Sequence, residues 1–313
     1  MSKGSRRRIW AAFALLWLVA TPALAAPLKW KPPTLVNPVV ITISAAAGDV
    51  HARAATNQDC LIRWPTTKHV GTVWIEGCHN LVSIGGWNSV PQSANHTNSA
   101  VARILYISST TGVAHIEGLL GDASAGGMSD GVDIEAPLAT VQIENVRIDG
   151  IYGYNDQFHA DCLQPFGGVK ALRIYNFTCR TGYQGLSIWP VAGSPKGWTA
   201  DIERTNIALF GADINGSHNN GGYIYWPCAD TACANGALTS LSDVYLQPRA
   251  GNSFPTTVYT PSMTVWLISP GVQAMIFPNL RIVGHVIQGP PPTGDFVPVG
   301  VAGVRYVSPG YVS

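Results

Sequence analysis

The chain has 313 residues, with 19 Lys and Arg against 18 Asp and Glu, 33 glycines, 22 prolines and 12% charged residues in all. So even a balance leaves no basic footprint for nucleic acid and no charged stripe for an anionic membrane surface. The length is enough to bury a substantial core, in one domain or two.

At the N-terminus, Lys3, Arg6, Arg7 and Arg8 precede an apolar run from Ile9 to Ala20, and Ala23, Leu24 and Ala25 follow. A basic start, an apolar stretch and a small-residue triplet make the pattern of a secretory signal peptide, here residues 1–25, cleaved after Ala25. The apolar run is shorter than the ~20 residues a spanning helix requires. The expected product, residues 26–313, is a secreted or periplasmic protein. It carries 15 basic and 18 acidic residues, has no membrane segment after cleavage and no nucleic-acid partner, and is expected to be monomeric.

Six cysteines in an exported chain suggest disulfides. They fall as three sequential pairs, expected as Cys60–Cys78, Cys162–Cys179 and Cys228–Cys233, although six cysteines permit other connectivities. The Cys-x-x-Cys spacing of zinc sites is absent.

Beyond the signal, short runs rich in Val, Ile, Tyr and Trp are broken by Gly, Asn, Asp and Pro. Apolar residues seldom recur at helical spacing. The organising feature is a repeat led by Ile116, Ile143, Ile174 and Ile202, which are 27, 31 and 28 residues apart, with a weaker copy at Ile84. A second element ends at Pro165, Pro190 and Pro227, with a looser member at Pro137. Two or three short strands over ~25–30 residues suit one coil of a solenoid whose coils stack on one another. A β-sandwich would show more two-residue hairpin turns. The expected fold is all-β, a right-handed parallel β-helix forming one domain over 26–313, with its clearest coils in 101–246.

The rungs Ile143 to Asn145 and Ile174 to Asn176, with their glycine-rich turns, resemble the right-handed parallel β-helix proteins of the pectin-lyase-like superfamily. The resemblance implies cleavage or binding of acidic polysaccharides. It covers the middle of the chain and speaks for the fold rather than for one reaction. The tight local signatures of pectate lyases and polygalacturonases are absent. Ser217 and His218 lack a hydrolase-like context, and no Lys or Arg adjoins His159. The reaction type stays open between β-elimination and hydrolysis.

The densest polar cluster runs from Asn155 to Gln164. Aligning Pro137 with Pro165 places Asp133 over Asp161, about one strand spacing (~4.8 Å) apart. In the same alignment, Leu186 and Tyr223 follow in that column. Two carboxylates so close either share a cation or keep a proton. Calcium held by Asp133 and Asp161 would serve elimination, whereas an acid paired with a carboxylate serves retaining glycoside hydrolysis. His159 is the expected proton-transfer group. The plain alternative is that these Asp and Asn residues close turns. Gln164, Trp189 and Trp226 each precede a repeat proline and, with Gln184 and Tyr225, are expected to hold a sugar chain. The Asn-x-Ser/Thr sites at Asn95, Asn176 and Asn215 are read as turn residues. The expected function is cleavage of a polysaccharide, the alternative a non-catalytic glycan-binding or structural β-helix protein.

Overall fold

A computed structural model describes residues 24–92, 102–127, 129–153, 158–188, 194–210, 223–226, 238–248, 266–267 and 281–310. Among these there is no helix, hence none long and apolar enough to cross a membrane. The strands are β1 (Val39–Thr42), β2 (Val50–Arg53), β3 (Cys60–Arg63), β4 (His69–Val70), β5 (Val73–Glu76), β6 (Leu81–Ile84) and β7 (Trp87–Ser89). They continue with β8 (Ala102–Ser108), β9 (Val113–Glu117), β10 (Leu120–Asp122), β11 (Ser129–Ile151), β12 (Leu163–Thr181), β13 (Leu186–Ser187) and β14 (Thr199–Leu209). The last are β15 (Tyr223–Trp226), β16 (Leu238–Gln247), β17 (Trp266–Leu267), β18 (Arg281–Val283) and β19 (Val286–Gln288).

These strands pair in parallel, with β15 against β17 the antiparallel exception among the strand pairs. The pairings fall into three series. The first stacks β1, β3, β6, β9, the middle parts of β11 and β12, then β14, β16 and β18. The second runs from β4 through β7, β10 and the later parts of β11, β12, β14 and β16 to β19. The third joins β2, β5, β8, the early parts of β11 and β12, β13 and β15. The result is a large all-β parallel sheet, an arrangement compatible with a parallel β-helix.

The isoleucine repeat sets the register of the first series. Ile116 pairs with Ile143, Ile143 with Ile174 and Ile174 with Ile202. The column extends back through Ser83, Ile62 and Ile41 and forward to Leu241. Its members are at most 8% exposed. Each buried Ile contributes about 1.5–3 kcal/mol of burial free energy, and it does so only when the windings above and below cover it. The weaker copy at Ile84 is one residue out of step: Ser83 takes the inward place, and Ile84 pairs with Glu117 and is 43% exposed. Side chains alternate along a strand, so a one-residue slip reverses their faces. The inward Ser83 hydroxyl is satisfied by the indole N–H of Trp64 at 2.8 Å.

The turn from the first series into the second repeats at one position in six successive windings, from the one that holds Ser83 onward. Gly85, Gly118, Asn145, Asn176, Arg204 and Asp243 all have positive φ, from 47° to 68°. Glycine and asparagine tolerate this left-handed geometry best, which explains the Ile-x-Asn rungs. Asn176 is accordingly a turn residue and fully buried; Asn95 and Asn215 lie outside the described residues. At Gly118 a Cβ would come 2.2 Å from the ring of Tyr306, so this turn also needs glycine for packing.

Two disulfides form as expected, Cys60–Cys78 and Cys162–Cys179, closing 18 and 17 residues. Loops of this size cost the unfolded chain roughly 3 kcal/mol in conformational freedom when closed. Cys228 and Cys233 lie outside the described residues. Two irregular segments are strapped across the first two series. Near the N-terminus, the backbone N–H groups of Lys29 and Trp30 donate to the two oxygens of Glu144 at 2.7 and 2.9 Å. Leu28 N–H donates to the Gly310 carbonyl at 2.8 Å, and the Lys29 ammonium reaches Asp201 and Glu203. Near the C-terminus, Asp295 accepts from Arg147 and Arg180 at 2.8 Å each and from the Asn206 amide at 2.9 Å.

Asn145 links the turn to the first strap, donating to the Ala26 carbonyl at 2.8 Å. Replacing it with Val puts a β-branched residue at positive φ and removes that bond. Asn145→Val should lower the unfolding free energy by about 2 kcal/mol or more in urea titration; an unchanged midpoint and slope would contradict the turn's role. Burial opposes ionisation of Asp295, but its bonds to Arg147 and Arg180 outweigh it and lower the pKa below 3.8. The ionised strap contact is therefore fully formed above pH ~4 and is lost as pH falls through the folded value. Asp295→Asn should destabilise the protein at pH 7 and have little effect well below pH 3, as read from melting temperatures across that range.

Candidate functional site

Three buried acids and one arginine gather on the third series. Parallel pairing sets Arg103 of β8 beside Asp130 of β11, and Tyr106 beside Asp133. One winding on, Val132 pairs with Leu163 and Asp133 with Gln164. Just ahead of that register, the Asp161 N–H donates to the Asp130 carboxylate at 2.9 Å, and the Gly131 N–H donates to the Asp161 carbonyl at 2.8 Å. Gly131 lets the two windings approach, since a Cβ there would meet the Cys162 carbonyl oxygen at 2.3 Å.

This register corrects the proline alignment. Asp133 does not lie over Asp161; it lies over Gln164, and Asp130 is the residue against Asp161. The ladder slips between the pairs Asp133–Gln164 and Glu135–Gly168, and Pro165, Phe166 and Gly167 face the single residue Ile134 across that gap. Pro137 falls in a different interruption, between Ala136 and Thr140. Proline has no N–H to give the ladder, so it collects wherever pairing breaks. Aligning Pro137 with Pro165 matched two unrelated breaks.

The acids nevertheless form one electrostatic cluster. Asp130, Asp133 and Asp161 are 1%, 3% and 1% exposed. The Arg103 guanidinium is 2.5 Å from Asp133 and 3.7 Å from Asp130. Burial pushes the Asp130 carboxyl up to about 8, with Asp133 adding repulsion and Arg103 opposing it. Burial likewise raises Asp133, against the pull of Arg103. Asp161 is raised well above the usual carboxylate range, first by burial and then by Asp130 and Asp133. The Ser187 hydroxyl lies close enough to favour its charge slightly, yet neither Asp161 oxygen has a hydrogen-bond partner, nor does that hydroxyl. A carboxyl so enclosed is held toward its protonated form.

The other expected site residues separate. His159, on the turn two residues before Asp161, is exposed, and its ring lies 6.0 Å from that of Tyr183. Gln164 is half-buried beside Asp133, and Gln184 is buried on the next winding, where its N–H donates to the Ala160 carbonyl at 3.3 Å. Tyr225 pairs with Leu186, which pairs with Leu163. That column runs through the core, and Tyr225 is fully buried, so its ring is not on a sugar-facing surface. The backbone of Trp226 pairs with Ser187; Trp189 lies outside the described residues.

Asp130, Arg103 and Ser187 escaped the sequence reading, although a signal for two of them was present. Asp130 is 27 residues after Arg103 and 31 before Asp161, the spacings of Ile116 to Ile143 and Ile143 to Ile174. Inward isoleucines carry the register faithfully because burial forbids slippage.

The residues do not fit a calcium site. Arg103 already supplies the positive charge beside Asp133, and no group of three or more His, Cys, Asp or Glu among the described residues is disposed to hold a metal ion. No protein-family model, curated protein or solved structure matches the chain.

Burying Asp130 in a neutral state has a pH signature. Its folded pKa, about 8, lies above the unfolded 3.8, so ionisation favours the unfolded chain. Stability should fall as pH rises from ~4 to ~8 and level off beyond. Asp130→Asn, which mimics the neutral acid, should flatten that slope in urea titrations at a series of pH values; an unaltered slope would show that Asp130 is ionised in the fold.

Proposed function

We propose that this is a secreted right-handed parallel β-helix protein of the pectin-lyase-like type, released by cleavage after Ala25, that cleaves a polysaccharide. The observation that supports this reading is the clustering of three buried carboxyls, Asp130 and Asp133 beside Arg103 and Asp161 against Asp130. Two disulfides suit an oxidising, extracellular setting. Hydrolysis fits the residues better than elimination. The Asp161 carboxyl gives its proton to the glycosidic oxygen as the bond from that oxygen to the anomeric carbon breaks. A water oxygen then bonds to the anomeric carbon, and the proton it sheds returns to the Asp161 carboxylate. Asp133, whose pKa burial raises against the pull of the Arg103 guanidinium 2.5 Å away, is the proposed carboxylate that stabilises positive charge on the sugar. His159, exposed nearby, is a second proton carrier. Gln164, Trp189 and Trp226 are the proposed sugar contacts; Gln184 and Tyr225, being buried, are not.

The depth of the acids supports a second reading, a non-catalytic glycan-binding protein in which the cluster is structural. Turnover separates the two. The purified protein should release reducing ends from at least one polysaccharide in a broad panel. Asp161→Asn should cut that rate at least 100-fold while leaving the melting temperature at pH 7 within a few degrees. Binding without product, or full activity in Asp161→Asn, would overturn the catalytic assignment; full activity in His159→Ala would remove only the role of His159.

A further inference from the structure

We infer that cleavage after Ala25 takes place on the unfolded chain, before residues 297–310 close over the N-terminal strap, and that the folded precursor is no substrate for the processing peptidase. The inference rests on the secreted reading above and adds an order of events to it.

A peptidase takes its substrate as an extended segment, with the small side chain before the scissile bond in a pocket of its own. Here the fold holds that side chain instead. Ala25 is half-buried and packs against the apolar cluster of Val297, Val301 and Ala302, whereas Leu24, one residue before it, is 87% exposed.

On the far side of the bond the hold is tighter. The Ala26 carbonyl accepts from the Asn145 amide at 2.8 Å, and Asn145 is itself buried. Leu28 is fully buried, and its N–H donates to the Gly310 carbonyl at 2.8 Å. The N–H groups of Lys29 and Trp30 occupy both oxygens of Glu144. The Lys29 ammonium pairs with Glu203 at 2.6 Å, and the Trp30 ring stands edge-on to Tyr175 with centroids 6.3 Å apart. An enzyme cannot leave this anchorage in place. The Ala26 carbonyl adjoins the bond to be cut, and even a fully extended chain keeps Leu28 within about 10 Å of it. Cleavage of a native protein at such a place tracks the small population in which the segment has detached.

The partners also set the timing. Val297, Val301, Ala302 and Gly310 lie near the far end of the 313-residue chain. The cluster under Ala25 and the acceptor for Leu28 are therefore missing until that end has been made and exported. The bond is open to the peptidase for that interval and closed to it afterwards.

The test presents the full chain, residues 1–313, to a signal peptidase in detergent micelles, either folded or freshly diluted from urea, and identifies the product by mass. The diluted chain should be cut after Ala25 at least 100-fold faster than the folded one. Cleavage of the folded chain at the same rate overturns the inference while sparing the signal reading. Failure of the diluted chain to be cut after Ala25 overturns that reading, and the inference with it. A second measurement locates the protection in the strap. Asn145→Gly keeps a residue suited to positive φ but removes the bond to Ala26. Combined with Leu28→Ala, it should raise the folded rate at least tenfold in a chain that still melts cooperatively. A folded double variant as resistant as the original chain overturns the strap as the source of protection.

Discussion

Lateral pairing between successive windings is the constraint on which everything else rests. A single winding buries too few side chains to stand alone, since its inward residues touch little besides the winding before and after. The column from Ile41 to Leu241 is therefore the unit of stability, and its spacing is the unit of register. Windings of 21 to 39 residues are accommodated between Ile41 and Leu241. Their lengths vary in the connections and bulges, while the paired strands keep step.

Buried charge is handled in two contrasting ways on this frame. Under the straps, Glu144 is fully buried, but both its oxygens accept backbone N–H groups from residues 29 and 30. Asp295 collects two guanidinium groups and an amide. These carboxylates hold segments in place. On the third series, Asp161 is as deeply placed and has the Ser187 hydroxyl as its nearby donor. The geometry that produces this is local. Gly131 brings two windings within reach, and the bulge at Pro165 to Gly167 breaks the ladder next to Gln164.

The positive-φ turns show how a repeat can be strict in geometry and loose in composition. Gly85, Gly118, Asn145 and Asn176 meet the requirement cheaply, whereas Arg204 and Asp243 meet it at a steric cost. Arg204 gains something in return, because its guanidinium donates to the Asn176 side chain at 2.6 Å, one winding away. The turn is thus held by neighbours as much as by its own residue.

Much of the fold was legible in the residues alone. Alternating β-branched runs, the isoleucine spacing and the cysteine pairs announced parallel strands, their register in the middle windings and two disulfides, because inward packing and loop closure act on residue type and separation directly. The acid cluster was legible only in part. Asp133 and Asp161 stood out by their chemistry, but Asp130 and Arg103 did not, and Tyr225 looked like a surface aromatic until its pairing with Leu186 turned it inward. Prolines misled because they mark where a ladder breaks, and separate breaks look alike in a string of letters. Which side chains meet across windings depends on how many residues each break absorbs, and that number is settled by the packing of the whole stack rather than by any one segment.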